Sequence, residues 1–288
     1  EAITWSFVSS EQSSLGNKKE NVIIKNPISS DLDTMRSSLF PNLLTSININ
    51  INRLYNNGKL FEVGPQYSGP KEEDQQMVAS GIQYGSVHTE IWGDEKRMSD
   101  VFDVKSDVYF VLDQLNVPVD KVLYEESDNN FFHPGKSARL RIGKSILAQF
   151  GEIHPFILQK FEINTNVSGF EILLDQISQF QLKIASTKKA YDNNSLQAIE
   201  RDFAFLFPKN IRAGEIIKKI KKIDNQLVKN VTVFDVFEGN KLPENMKSIG
   251  IKVILQPIEK TFTDSEIEKI SNKIIDLISK TFEGKLRQ

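Results

Sequence analysis

Between Ile199 and the C-terminus the hydrophobic period switches repeatedly between two and about 3.6 residues, and few folds satisfy that order. Ile199–Phe207 alternates as a strand. Ala213–Ile223 follows at helical spacing, with Ile216, Ile217, Ile220 and Ile223 on its inward side. Val231–Phe237 and Ile249–Leu255 alternate again, joined by a loop bearing Gly and Pro. Thr263, with Glu266 three residues on, opens a helix as a capping box. That helix carries Ile267, Ile270, Ile274, Ile275, Leu277 and Ile278, and Gly284 ends it before a short last strand. The order β-α-β-β-α-β predicts a ferredoxin-like sandwich, one sheet covered on one face by two helices.

The preceding region reads as mixed α/β. Val22–Ile24 reads as a strand and Ser9–Glu20 as a loop. Pro41 is suited to the first position of a helix carrying Leu43, Leu44, Ile47, Ile51 and Leu54. Phe61–Gly64 and Gly81–Gly85 read as short strands. Asp103 is placed to cap a helix whose Val104, Val108, Val111, Leu112 and Leu115 share a face. Arg139–Ile142 and Ile146–Ile153 read as a hairpin about a Gly-Lys turn, Pro155–Phe161 as a short helix and Phe170–Leu174 as a strand. The polar stretch Lys188–Ser195 marks a boundary, giving domains at 1–190 and 195–288, as 288 residues would suggest.

Charge divides along the same line. Residues 1–194 hold 19 Lys+Arg against 25 Asp+Glu, net −6, while 195–288 hold 17 against 13, net +4. A basic module joined to an acidic one points the second toward a polyanion. The chain has no cysteine, which excludes disulfides, thiolate metal sites and cysteine nucleophiles and suits a reducing cytoplasm. No apolar run reaches the roughly 18–20 residues of a membrane span. The start, Glu1-Ala2-Ile3-Thr4-Trp5, resembles no signal peptide, and without an initiator Met it suggests an excised fragment.

Three groupings bear on chemistry. Ala138–Ser145 fits a relaxed phosphate-loop pattern, but its alternation continues into Ile146–Phe150, so the hairpin reading is preferred. His133, Glu152 and His154 would suit zinc by type, yet both histidines precede proline and read better as structural turns. Arg36, after the capping residues Ser29, Ser30 and Asp31, is suited to pin a carboxylate, either as a ligand clamp or as a structural ion pair. No nucleophile elbow occurs, and no pair of carboxylates stands out for acid–base work.

In the terminal sandwich, Arg201, Phe203, Phe205 and Phe207 alternate onto one face of the first strand, and Ser248, Gly250, Lys252 and Ile254 do so on the third. An open sheet face carrying aromatics and cations is how RRM-type domains stack bases. The alternative is that these phenylalanines face the helices. Parity alone does not say which face is wet.

Several motifs in order carry a resemblance along nearly the whole chain. They are Ile3–Phe7, Asn26–Ser30 with Met35–Leu39, Phe61–Gly64, His133–Ala138, Gly151–Pro155, Arg201–Phe205, Phe234–Gly239 and the closing Leu286-Arg287. The chain resembles the C-terminal part of the bacterial-type phenylalanyl-tRNA synthetase β subunit. That resemblance implies an α+β chain: a non-catalytic class II synthetase-like domain with a mixed or antiparallel sheet, then a ferredoxin-fold anticodon-binding domain. It implies a catalytic α-subunit partner in an α2β2 assembly, tRNA(Phe) as the nucleic acid rather than DNA, no membrane, and a cytoplasmic place. ATP and Mg2+ would be used by the complete enzyme, with no cofactor on this fragment and no catalytic or metal residue. On this footing Arg201, Lys241, Lys247 and Lys252 are the expected phosphate or base contacts. Phe205 is the stacking candidate, and Asp202 and Asp235 are acceptors for base edges. The rival reading is a silent paralogue acting as an RNA-binding or interaction module; a free-standing hydrolase using His133, Glu152 and His154 is a third.

Overall fold

The computed structural model describes residues 1–15, 21–88, 92–93, 97–181, 194–239, 242–258 and 260–287, without the side chains of 179–181. Two compact units emerge, Glu1–Ser186 and Thr187–Gln288. Positions 188–193 of the polar boundary stretch lie outside the described residues.

In the first unit β1 (Phe7–Val8) pairs with β2 (Thr34–Met35), next to α1 (Ser10–Ser14). α1 occupies part of the stretch read as a loop, with Ser9 as its N-cap, its hydroxyl accepting from the Gln12 amide. The strand expected at Val22–Ile24 is only an isolated bridge between Ile23 and Thr34. α2 (Phe40–Asn52) carries Pro41 in its first turn and buries Phe40, Leu43, Leu44 and Ile47. The principal sheet has six strands: β3 (Gly58–Tyr67), β4 (Gln75–Tyr84), β5 (Leu123–Glu125), β6 (Phe132–Ile142), β7 (Ser145–Ile153) and β8 (Val167–Leu173). Their order is β3-β4-β8-β7-β6-β5, and every neighbouring pair is antiparallel. β3 and β4 extend well beyond the short strands expected.

Helices sandwich this sheet. α2 and α4 (Pro155–Lys160) share one apolar cluster with Val78, Ile82, Tyr84 and Val167. α3 (Val101–Gln114) places Val104, Val108 and Leu112 in the other, with Leu140, Ala148, Phe150, Ile172 and, from α5 (Leu174–Gln181), Ile177. The cap of α3 is Asp100, one turn earlier than expected. Asp103 is instead the reciprocal member of its capping box. Gly143 turns β6 into β7 at φ 60°, a left-handed conformation that glycine adopts freely. Ala138–Ser145 is therefore the hairpin.

The terminal unit runs β9 (Ile199–Pro208), α6 (Ala213–Lys221), β10 (Val228–Phe237), β11 (Met246–Leu255), α7 (Asp264–Phe282) and β12 (Lys285–Leu286). Its sheet order, β10-β11-β9-β12, is fully antiparallel and is that of the ferredoxin-like sandwich. Thr263 and Glu266 form the expected capping box. α7 ends at Phe282, and its C-cap, Glu283, takes the left-handed conformation at φ 54° just before Gly284. Gly284 then passes so close to Ile278 and Phe207 that no Cβ fits between.

Candidate nucleic-acid interface

Residues opposite one another in an antiparallel ladder point to the same face, so register sorts the side chains of the terminal sheet. Phe203, Phe205 and Phe207 stand opposite Ile251, Ile249 and Lys247. All three phenylalanines are buried in one cluster with Ile216 and Ile220 of α6 and Ile270, Ile274 and Ile278 of α7. Phe205 has 0% of its surface exposed. Its reading as a base-stacking residue is corrected: the helices cover this face, and Phe205 is core. Arg201 and Lys247 share its parity; Arg201 is exposed and Lys247 half-buried.

The uncovered face carries the other parity. There Asp202 is opposite Lys252, Ala204 opposite Gly250, and Leu206 opposite both Ser248 and Lys285. Ser248, Gly250 and Lys252 therefore lie on the face away from the three phenylalanines. β10 adds Thr232, Asp235 and Phe237, opposite Lys252, Gly250 and Ser248. A register shift between Val233 and Asp235 turns Phe234 toward the same face, where a Cβ on Gly250 would lie 2.8 Å from its ring. Phe234 remains 55% exposed and Phe237 39% exposed. The Arg287 amide donates to the Ala204 carbonyl at 2.8 Å, and its guanidinium to the Ser248 hydroxyl at 3.4 Å. Two exposed aromatic rings, Asp235 between them in sequence and Arg287 across the sheet make a surface suited to unstacked bases.

Charge on this face is balanced locally. The Lys252 ammonium meets the Glu200 carboxylate at 2.8 Å. Its pKa is raised, first by that hydrogen bond, then by the charges of Glu200 and Asp202. Lys252 is thus held cationic yet already engaged, and a phosphate would have to displace Glu200. Lys241 lies outside the described residues. Phe234, Phe237 and Arg287 were not among the contacts expected from sequence. The signal for the first two was a phase break: Val231-Thr232-Val233 alternates, and Phe234-Asp235-Val236-Phe237 resumes out of step.

Residues 195–287 match the family described as the ferredoxin-fold anticodon binding domain, and residues 1–174 match the phenylalanyl tRNA synthetase beta chain CLM domain. The chain belongs to the phenylalanyl-tRNA synthetase β-chain family. The phenylalanine–tRNA ligase β subunit of Paramagnetospirillum magneticum is 36% identical over 288 residues, which are 100% of this chain and 36% of that relative. The β subunit of Brucella abortus is 36% identical over 293 residues, again 100% of this chain and 36% of that protein. The chain thus spans about a third of the length of these curated relatives. Among solved structures, Desulfitobacterium hafniense pyrrolysyl tRNA synthetase gives a TM-score of 0.45 at 16% identity, covering 63% of this chain and 62% of that one. That likeness is too loose to bear on function.

The β-chain CLM unit carries a polar row across its whole sheet. Glu62, Ser80, Glu171, Gln149, Arg139 and Glu125 are successive register partners from β3 to β5. The charged members of this row and Gln149 find partners within the chain, whereas the buried Ser80 hydroxyl has none among the described residues. Arg36 Nη1 meets Glu62 Oε1 at 2.7 Å through one contact, with both side chains buried. Thr4 bridges the pair, accepting from Arg36 at 3.0 Å and donating to Glu62 at 2.7 Å. Arg36 Nε donates to the Pro65 carbonyl at 3.0 Å. Of the two readings for Arg36, the structural ion pair is the one formed. Glu125 is held by Arg139 at 3.1 Å and by Arg141.

Glu171 is buried, and burial raises its pKa, partly offset by a 2.7 Å hydrogen bond from Gln149. Because the folded-state pKa lies above the unfolded one, stability is full below the ordinary carboxylate range. It is lost as pH rises through the raised value. Glu171→Gln, which can still accept from Gln149, is expected to be the more stable form at neutral pH and to lose this dependence; urea midpoints measured from pH 4 to 8 check it.

His133, Glu152 and His154 do not converge on a shared ligand. His133 Nδ1 accepts from the Gly135 amide at 3.0 Å and His154 Nδ1 from Phe156 at 3.1 Å, while Glu152 binds Lys136 at 2.7 Å. Each closes a turn or a strand pair. Among the described residues no group of three His, Asp or Glu is placed to hold a metal ion. No helix among them is long and apolar enough to cross a membrane.

Proposed function

We propose that this chain is the C-terminal part of a phenylalanine–tRNA ligase β subunit, supporting a catalytic α subunit and binding the anticodon region of tRNA(Phe) during ATP-dependent phenylalanylation. In this reading residues 1–190 are the non-catalytic, class II-like module and 195–288 the anticodon reader. The observation that carries it is the uncovered sheet face, where exposed Phe234 and Phe237 lie on a domain of the anticodon-binding family. Phe237 and Phe234 would stack bases; Asp235 and Asp202 would accept from base edges. Arg287, Arg201, Lys247, Lys252 and Lys241 would meet phosphates or bases. ATP and Mg2+ would serve the complete enzyme in the cytoplasm, as part of a heterotetramer. Two of the three carboxylates in the polar row of this chain are already neutralised, Glu62 by Arg36 and Glu125 by two arginines.

Base–aromatic stacking contributes about 1–3 kcal/mol per base, so Phe237→Ala is expected to weaken RNA binding by about 5- to 150-fold. A titration of labelled anticodon stem-loop at fixed salt measures this. Affinity unchanged in both Phe237→Ala and Phe234→Ala would show that the uncovered face is not the RNA surface.

A further inference from the structure

The net charge of the terminal domain does not sit on its uncovered sheet face. There Lys252, Lys285 and Arg287 are matched by Glu200, Asp202 and Asp235. Residues 209–229, by contrast, hold seven Lys+Arg and two Asp+Glu, net +5, against +4 for all of 195–288. The surplus therefore belongs to α6 and the segments flanking it. Its densest part is Lys218, Lys219, Lys221 and Lys222, all exposed and none ion-paired among the described residues. Ile216 and Ile220 of the same helix point into the core. The lysines stand on the outward side by the 3.6-residue period.

One or two cations are enough to complement the C-terminal end of a helix dipole. Four within five positions repel one another, a cost that a bound polyanion would remove. Because the apolar side of α6 is spent on the core, little remains to insert into a bilayer, so a membrane surface fits poorly.

We propose that the outward side of α6 is a second RNA-binding surface, which takes phosphodiester backbone without reading bases. Lys218, Lys219, Lys221 and Lys222 supply the counterion-release attraction that the neutral sheet face lacks. This rests on the anticodon-binding reading and adds a division of labour: the sheet face discriminates, and α6 anchors.

The test is a salt titration of the full chain and of its Lys218→Gln/Lys219→Gln/Lys221→Gln/Lys222→Gln variant against phenylalanine tRNA. Circular dichroism would verify that both are folded. With a slope of about 0.7 per neutralised phosphate, the variant is expected to lose about 3 from the slope of log K against log salt. Its preference for the native over a swapped anticodon should stay unchanged. Equal slopes in the two proteins, with tRNA bound by both, would overturn the α6 assignment and leave the sheet-face reading standing. Absence of tRNA binding by the unaltered chain would overturn both. Tighter binding of poly-glutamate than of tRNA, abolished in the variant, would instead make α6 a docking site for acidic protein.

Discussion

Phe205→Ala is expected to destabilise the terminal unit by about 3–5 kcal/mol, since it removes a fully buried aromatic ring from between the sheet and its two helices. Against a typical total of about 5–15 kcal/mol, that is a large part of the stability of a domain. Phe237→Ala, on the uncovered face, is expected to change stability by no more than about 0.5 kcal/mol. Where the Phe205 variant remains folded, its RNA affinity should match that of the unaltered chain, whereas the Phe237 variant should show the loss. Denaturant unfolding followed by circular dichroism, paired with the stem-loop titration, separates the two effects. The reverse pattern would return Phe205 to the RNA surface.

Arg36→Ala is expected to cost the first unit about 3–5 kcal/mol, because it strands Glu62 as a buried carboxylate beside Thr4. Gly64 belongs to the same arrangement, since a Cβ there would collide with the Arg36 guanidinium. The double replacement Arg36→Met/Glu62→Met should cost clearly less than the single one, as no charge is left unpaired. Both tryptophans, Trp5 and Trp92, lie in residues 1–186, so tryptophan fluorescence during urea unfolding follows that unit alone. Equal losses for the single and the double replacement would mean that packing, not the buried charge, sets the cost.

The order of elements in the terminal sandwich was legible because isoleucine and valine repeat there at clean periods of two and 3.6, and Thr263 with Glu266 marks a helix start by side-chain chemistry alone. The sheet face was not legible. Alternation grouped Phe203, Phe205 and Phe207 correctly but carried no information on where α6 and α7 would lie. The assignment of Phe205 to RNA failed for this reason; grouping Lys252 with Arg201 failed for another, since the register that sets Lys252 opposite Asp202 is not encoded by alternation within either strand. The bulge at Phe234 was visible only as a break of phase, which a parity argument discards. In the first unit, Arg36 was singled out as a carboxylate partner, yet Glu62 as that partner depends on β3 lying beside the segment after β2. Spacing along the chain does not encode that proximity. Asp103 over Asp100 is a smaller case: both acids join the same capping box, and the backbone of Asp100, extended at φ −137°, decides which is the cap.

The most direct test of the anticodon-binding account is a fluorescence titration of this chain against phenylalanine tRNA and a variant with its anticodon swapped, at two salt concentrations. The account predicts tighter binding of the native anticodon at both, with overall affinity falling steeply as salt rises. Binding that is equally weak for the two RNAs, with no loss of preference in Phe237→Ala because none existed, would contradict it.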